Sequence, residues 1–173
     1  MPLRPIAFFA VLLLAGACSP TLDWREVRPA GAGVSAMFPC KPERQERPIS
    51  LAGATVSLQM LVCSAGGVTW GLGTAEVSDP ARVAAALAAL RASRLDNLGG
   101  RELEVQALAL AGMTPNPQAV RLRIAGRRPD GSEILEQAWL FARGTRVFHV
   151  AALGGAPSDE ALGAFFGGLK LNP

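Results

Sequence analysis

Val120-Arg121-Leu122-Arg123-Ile124-Ala125-Gly126-Arg127-Arg128-Pro129-Asp130-Gly131-Ser132-Glu133-Ile134-Leu135-Glu136-Gln137-Ala138-Trp139-Leu140 is the stretch that decides the fold. Val120, Leu122 and Ile124 alternate with Arg121 and Arg123, the period of a strand with one face buried. Arg128-Pro129-Asp130-Gly131-Ser132 has turn chemistry: proline fixes its φ, and glycine supplies a positive one. A three-residue loop with glycine at the bulge sets Arg128 opposite Ser132. Val120 then faces Leu140, Leu122 faces Ala138, and Arg121 pairs with Trp139. This register keeps the apolar pairs on one face; a slip of one residue would break them up. The stretch predicts an antiparallel hairpin.

Working outward, Gly144 turns the chain into a further strand over 146–153. Ser158-Asp159-Glu160 caps a last helix through Leu162, Phe165 and Phe166, which Gly167-Gly168 ends. Upstream, the prolines of 112–117 mark a loop, and 102–110 reads as a strand. Ser78-Asp79-Pro80 opens a helix, with a side-chain cap and a proline in the first turn. Val83, Leu87 and Leu90 form its apolar stripe, and Gly99-Gly100 closes it. Arg94 falls on that same stripe, so either the face has rotated to solvent or the arginine snorkels along the core edge. Val56, Leu58, Met60 and Val62 alternate with polar residues, and 68–77 reads as the return strand of a hairpin turned at Gly66-Gly67. Earlier strands are expected at 24–28, 34–38 and 48–51, with the charged run 43–47 as a surface loop. Strands, helix, strands, helix is an α+β order: an antiparallel sheet flanked by helices.

The chain has 173 residues, 50% of them apolar and 18% charged, with a formal net charge of +3. That hydrophobicity excludes a disordered chain. No run is long and apolar enough to cross a bilayer as a helix. Lys41 and Lys170 are the sole lysines among 17 basic residues, and tyrosine is absent. This skew reads as coding bias.

Met1-Pro2-Leu3-Arg4 precedes an uncharged run ending Leu12-Leu13-Leu14-Ala15-Gly16-Ala17-Cys18. One cation, a short apolar stretch and small residues before a cut site make a secretory signal peptide. The segment resembles the lipobox of bacterial lipoproteins, with Ala15 where leucine is usual. The resemblance implies a diacylglyceryl group on Cys18, and Ser19 after it implies sorting to the outer membrane. Ala15-Gly16-Ala17 also fits ordinary signal peptidase, which would release a soluble protein. Three cysteines are present. Lipidation of Cys18 leaves Cys40 and Cys63 as an even pair, suited to a disulfide in an oxidising compartment. A redox pair is the rival, without a C-x-x-C spacing to support it. The expected organisation is signal peptide 1–17, lipidated tether 18–23 and a single α+β domain 24–173.

Phe38-Pro39-Cys40-Lys41-Pro42 resembles the FPGKP motif of small exported bacterial lipoproteins of unknown function, with Cys40 in place of glycine. Phe165-Phe166-Gly167-Gly168-Leu169-Lys170-Leu171 is similar to the closing segment of PsbP/Mog1-like domains. The resemblance implies their α/β/α sandwich. That family hosts photosystem subunits, a nuclear-transport factor and uncharacterised lipoproteins, so it does not fix a function.

His149 is the one histidine. It has no G-x-S-x-G elbow to serve and no partners for a metal site, and a structural role is expected. The glycine pairs start no phosphate-binding loop. Neither catalytic residues, metal nor cofactor are expected. Arg121 and Arg123 read first as a solvated strand face, and export argues against nucleic acid. The surface most apt to bind is the 112–117 loop with Asn116, together with Trp70, Trp139, Arg121 and Arg123, because loops on rigid scaffolds carry function. The competing reading makes the tryptophans core. The expectation is a non-enzymatic, periplasm-facing lipoprotein, membrane-held by its lipid, that binds or assembles an envelope protein. The alternative is a periplasmic small-ligand-binding protein.

Overall fold

The structure, a computed structural model, describes residues 22–172. Cys18 and the signal segment lie outside the described residues. The chain runs β1 (Arg25–Val27), β2 (Val34–Phe38), β3 (Glu43–Leu51), β4 (Ala54–Ala65), β5 (Val68–Glu76), α1 (Val83–Leu98), β6 (Arg101–Ala107), β7 (Val120–Arg127), β8 (Glu133–Arg143), β9 (Arg146–Leu153), α2 (Asp159–Gly167) and β10 (Lys170–Leu171). Seven strands make one antiparallel sheet in the order β3-β4-β5-β9-β8-β7-β6, and β1-β2-β10 make a second, small sheet.

The deciding hairpin has the register its residues demand: Val120 opposite Leu140, Leu122 opposite Ala138, Arg121 opposite Trp139. Arg128 N–H donates to the Ser132 carbonyl at 2.8 Å, and Gly131 sits at φ 83°. One face of the large sheet carries Val120, Leu122, Ile124, Ala138 and Leu140, which α1 covers with Val83, Ala86, Leu87 and Leu90. The other face carries Trp70, Leu72, Phe141, Phe148 and Val150, covered by α2 and the small sheet. The architecture is therefore α+β in three layers. The helix starts follow the local chemistry. Asp79 accepts from Ala81 N–H at the turn leading into α1, and Ser158 accepts from Ala161 N–H at the start of α2. Gly99, at φ 50°, closes α1.

The run 43–47, expected as a loop, is instead the first half of β3. Glu43 pairs with Val62, and the ladder continues to Leu51 opposite Ala54. The run is exposed on both faces, so it lacks the alternation that marks a half-buried strand. The twelve-residue β4 supplies a partner for its whole length. Charge and Pro48 suit an edge, where they discourage pairing with another chain.

The end of α1 also approaches β7 closely at a glycine. A Cβ at Gly126 would sit 2.7 Å from both the Leu98 Cβ and the Leu98 carbonyl oxygen. Gly126→Ala is expected to cost about 1–3 kcal/mol by forcing helix and strand apart. Urea denaturation measures it, and an unchanged midpoint would contradict the close approach.

Candidate functional site

The large sheet is wider than the layer above it. On the α2 side, Arg121, Arg123, Glu104, Gln106 and Gln137 project from β6, β7 and β8 beside the helix. They line a groove of about 440 Å³ with Trp139, Leu162 and Phe166. The opposite wall is nearly bare, because Cβ positions at Gly163 and Gly167 would meet nothing within 4 Å. Past Arg123 and Gln137 the groove continues into a hollow of about 380 Å³ bordered by Leu135, Gly154, Pro157 and Asp159.

Each wall has a local cause. Strand alternation sends Val120, Leu122 and Ile124 toward α1 and Arg121 and Arg123 to the other face. The α2 helix, nine residues long, buries Ala161, Phe165 and Phe166. Trp139 stacks on Phe166 with centroids 4.8 Å apart. The Arg121 guanidinium lies 4.7 Å from the Trp139 ring centroid, a cation–π contact. Neither Arg121 nor Arg123 forms an ion pair among the described residues. Their neighbour Glu104 instead accepts from Gln106 Nε2 at 2.5 Å.

The expected surface is thus assembled only in part. Arg121, Arg123 and Trp139 come together. Trp70 does not: it is 1% exposed, edge-on to Phe165 at 5.0 Å, and donates its indole N–H to the Ala65 carbonyl. Its large ring is worth more in the core than at a surface. Asn116 is also elsewhere. Its side chain accepts from Gln118 N–H and shapes its own turn. Thr114 clips that loop onto the β8–β9 hairpin through Ala142 and Gly144. Leu162, Gly163 and Gly167 were legible only as helix and cap material. Their place in the groove wall depends on where α2 lands.

Cys40 and Cys63 are joined in a disulfide, with Cα atoms 6.0 Å apart. The bridge fastens the chain just after β2 to β4, so the small sheet is held against the large one.

The principal electrostatic feature lies on the α1 face. Glu136 is 0% exposed. Arg94 from α1 reaches it through Nε at 2.9 Å and Nη2 at 2.8 Å. His149 Nε2 lies 3.2 Å from its Oε1. A carboxylate only accepts, so the proton is assigned to Nε2. Burial pushes the Glu136 carboxyl upward, but hydrogen bonds from His149 and Arg94, with their charges, hold it below the usual glutamate range. Arg94 therefore faces the sheet from the apolar stripe. The sequence carried a signal here: Glu136 is in phase with Ala138 and Leu140 on a buried face. A second pair, Arg91 with Glu102, ties α1 to β6, and the Arg91 hydrogen bond lowers the Glu102 carboxyl.

A further cavity of about 580 Å³ lies at the other end of the sheet, beside Arg143, Arg146, Thr145 and the Gly31–Gly33 turn. Arg146 is paired there with Glu76. Among the described residues no cluster of His, Cys, Asp or Glu is arranged to hold a metal ion. None of their helices is long and apolar enough to cross a membrane.

The class defined by fold and site is a three-layer α+β domain with an arginine- and tryptophan-lined groove beside its second helix. No family model matches the chain, and no curated protein matches it. It is similar to a crystal structure of a protein from Bacteroides thetaiotaomicron VPI-5482, at 11% identity and a TM-score of 0.40. The match covers 83% of this chain and 46% of that one, so the chain spans less than half of that protein.

Proposed function

We propose that the protein is an outer-membrane-anchored, periplasm-facing lipoprotein that acts as a non-enzymatic binding or assembly module for an envelope protein. The observation that carries this reading is the groove beside α2, where Arg121, Arg123 and Trp139 stand together with no carboxylate partner for either arginine among the described residues. The lipobox-like segment supports the anchor, and the Cys40–Cys63 bridge suits an oxidising compartment. The layer order supports kinship with PsbP/Mog1-like lipoproteins. Binding to Glu136 gives His149 a structural task, which supports a non-enzymatic reading. Tether geometry adds to the case. Leu22 lies against the β4–β5 turn at Gly66, and the Gly155 position adjoins Gly67. Four residues from Cys18 to Leu22 span at most about 14 Å, so the Gly154–Pro157 end of the groove would sit near the bilayer surface.

The anchor is tested by palmitate labelling. Wild type should incorporate label and Cys18→Ala should not; unchanged labelling of the variant would overturn the anchor. Binding is tested with a photo-crosslinking residue at position 163 in intact cells. One discrete crosslinked species is expected, competed away by unlabelled wild-type protein. The runner-up, a small-ligand-binding protein, is favoured by the cavity beside Arg143 and Arg146. It predicts no crosslink and a thermal shift with a metabolite, lost in Arg143→Gln.

A further inference from the structure

We infer that the groove beside α2 takes an extended acidic segment of a partner protein, with carboxylates at alternate positions meeting Arg121 and Arg123. The inference rests on the binding-module reading and names the chemistry of its partner. Arg121 and Arg123 are two residues apart on β7, and so point from the same face about 6.7 Å from each other. An extended segment repeats its side chains at the same interval, so Glu-x-Glu in the partner places one carboxylate at each guanidinium. A helical segment would bring like-facing carboxylates together only at three- or four-residue spacing. The glycine wall sets the shape: Gly163 and Gly167 leave open space alongside α2, where a main chain can pass.

Charge selects the sign. Arg121 is held over Trp139, and Arg123, though directly opposite Glu104 in the ladder, forms no ion pair with it. Both guanidiniums thus keep donors available for carboxylates. Holding Arg121 over Trp139 beforehand lowers the entropy cost of binding at that position. Beyond Arg123, exposed Leu135 borders the second hollow and offers an apolar contact, while Asp159 on the same border confines the acidic positions to the stretch beside the two arginines. Such a site reads carboxylate spacing and tolerates variation between the acids.

The test titrates the intact mature domain with a blocked nonapeptide bearing Glu at alternate positions, against its Gln and Lys counterparts, by calorimetry. The Glu peptide is expected to bind, and the Gln peptide to bind about tenfold more weakly or not at all. Raising salt should weaken the Glu complex. Arg121→Gln with Arg123→Gln should reduce Glu-peptide affinity by about tenfold or more. Arg121→Glu with Arg123→Glu should turn the preference toward the Lys peptide. Far-ultraviolet circular dichroism confirms that each variant is folded. Equal binding of Glu and Gln peptides, or a charge-swapped variant that still prefers Glu, overturns the inference. So does an absence of peptide binding while the crosslink at position 163 persists, and in that case the binding-module reading stands. Absence of both overturns the two together.

Discussion

Arg94→Met is expected to destabilise the protein by about 3–5 kcal/mol, because it strands a buried carboxylate. Glu136 is 0% exposed, and the Arg94 guanidinium supplies three of its hydrogen bonds. Methionine keeps much of the apolar stem but provides no donor. His149 alone then faces the carboxylate, which would be driven toward its neutral form. In a domain of this size, the loss corresponds to a fall in Tm of about 10 °C. Glu136→Gln should cost less, because Arg94 is 21% exposed along its side chain and can turn its charge outward. Combining the two substitutions should cost less than their sum, the signature of direct coupling.

The pH dependence follows from the same group. Its folded-state carboxyl is held below the usual glutamate range. Its contribution is therefore fully present above the unfolded value of about 4.3 and is lost as pH falls through the lower, folded value. Wild type should lose stability steeply on acidification, and Glu136→Gln should lose less. The gap between wild type and Arg94→Met should narrow as pH falls, first because protonation relieves the stranded carboxylate of the variant and then, below about pH 4, because wild type loses its ion pair. Denaturant midpoints across pH 3 to 7 measure all of this. A gap that stays constant over that range would refute the ionised pair.

Removing the Cys40–Cys63 bridge is the second large effect. The cysteines are 23 positions apart, and closing a loop of that length lowers the unfolded chain's entropy by an amount worth about 3–4 kcal/mol. The consequence is also local. The bridge fastens the small sheet beside the core that holds Trp70 and Phe165. Cys40→Ser with Cys63→Ser, which leaves no new odd thiol, should lower the denaturation midpoint. It should also change the fluorescence of Trp24, which meets Trp70 at 6.1 Å. Wild type in strong reductant should match the double variant. Identical midpoints with and without reductant would contradict a stabilising bridge.

Legibility divides along burial. The β7–β8 hairpin could be read to the residue pair, because a one-residue slip would expose Leu122 and Ile124. Both helix starts could be read, because Asp79 and Ser158 act within their own turns. The first half of β3 could not. A solvated edge strand has no apolar alternation, and its ladder comes from β4, a non-local partner. The candidate site divides likewise. Arg121 and Trp139 were placed as neighbours by register, but Trp70 belongs to the core and Asn116 to a separate loop.

By itself, the sequence determined most of the order of elements, the main hairpin's register and the helix caps. All of these follow from contacts close along the chain or from the two-residue strand period. Tertiary structure alone decided that Arg94, Glu136 and His149 meet, from α1, β8 and β9, inside one core. It also decided that α2 leaves two arginines uncovered beside a glycine wall. Such features depend on how layers land on one another, and that placement is fixed by the packing of the whole apolar surface, which no short window of residues contains.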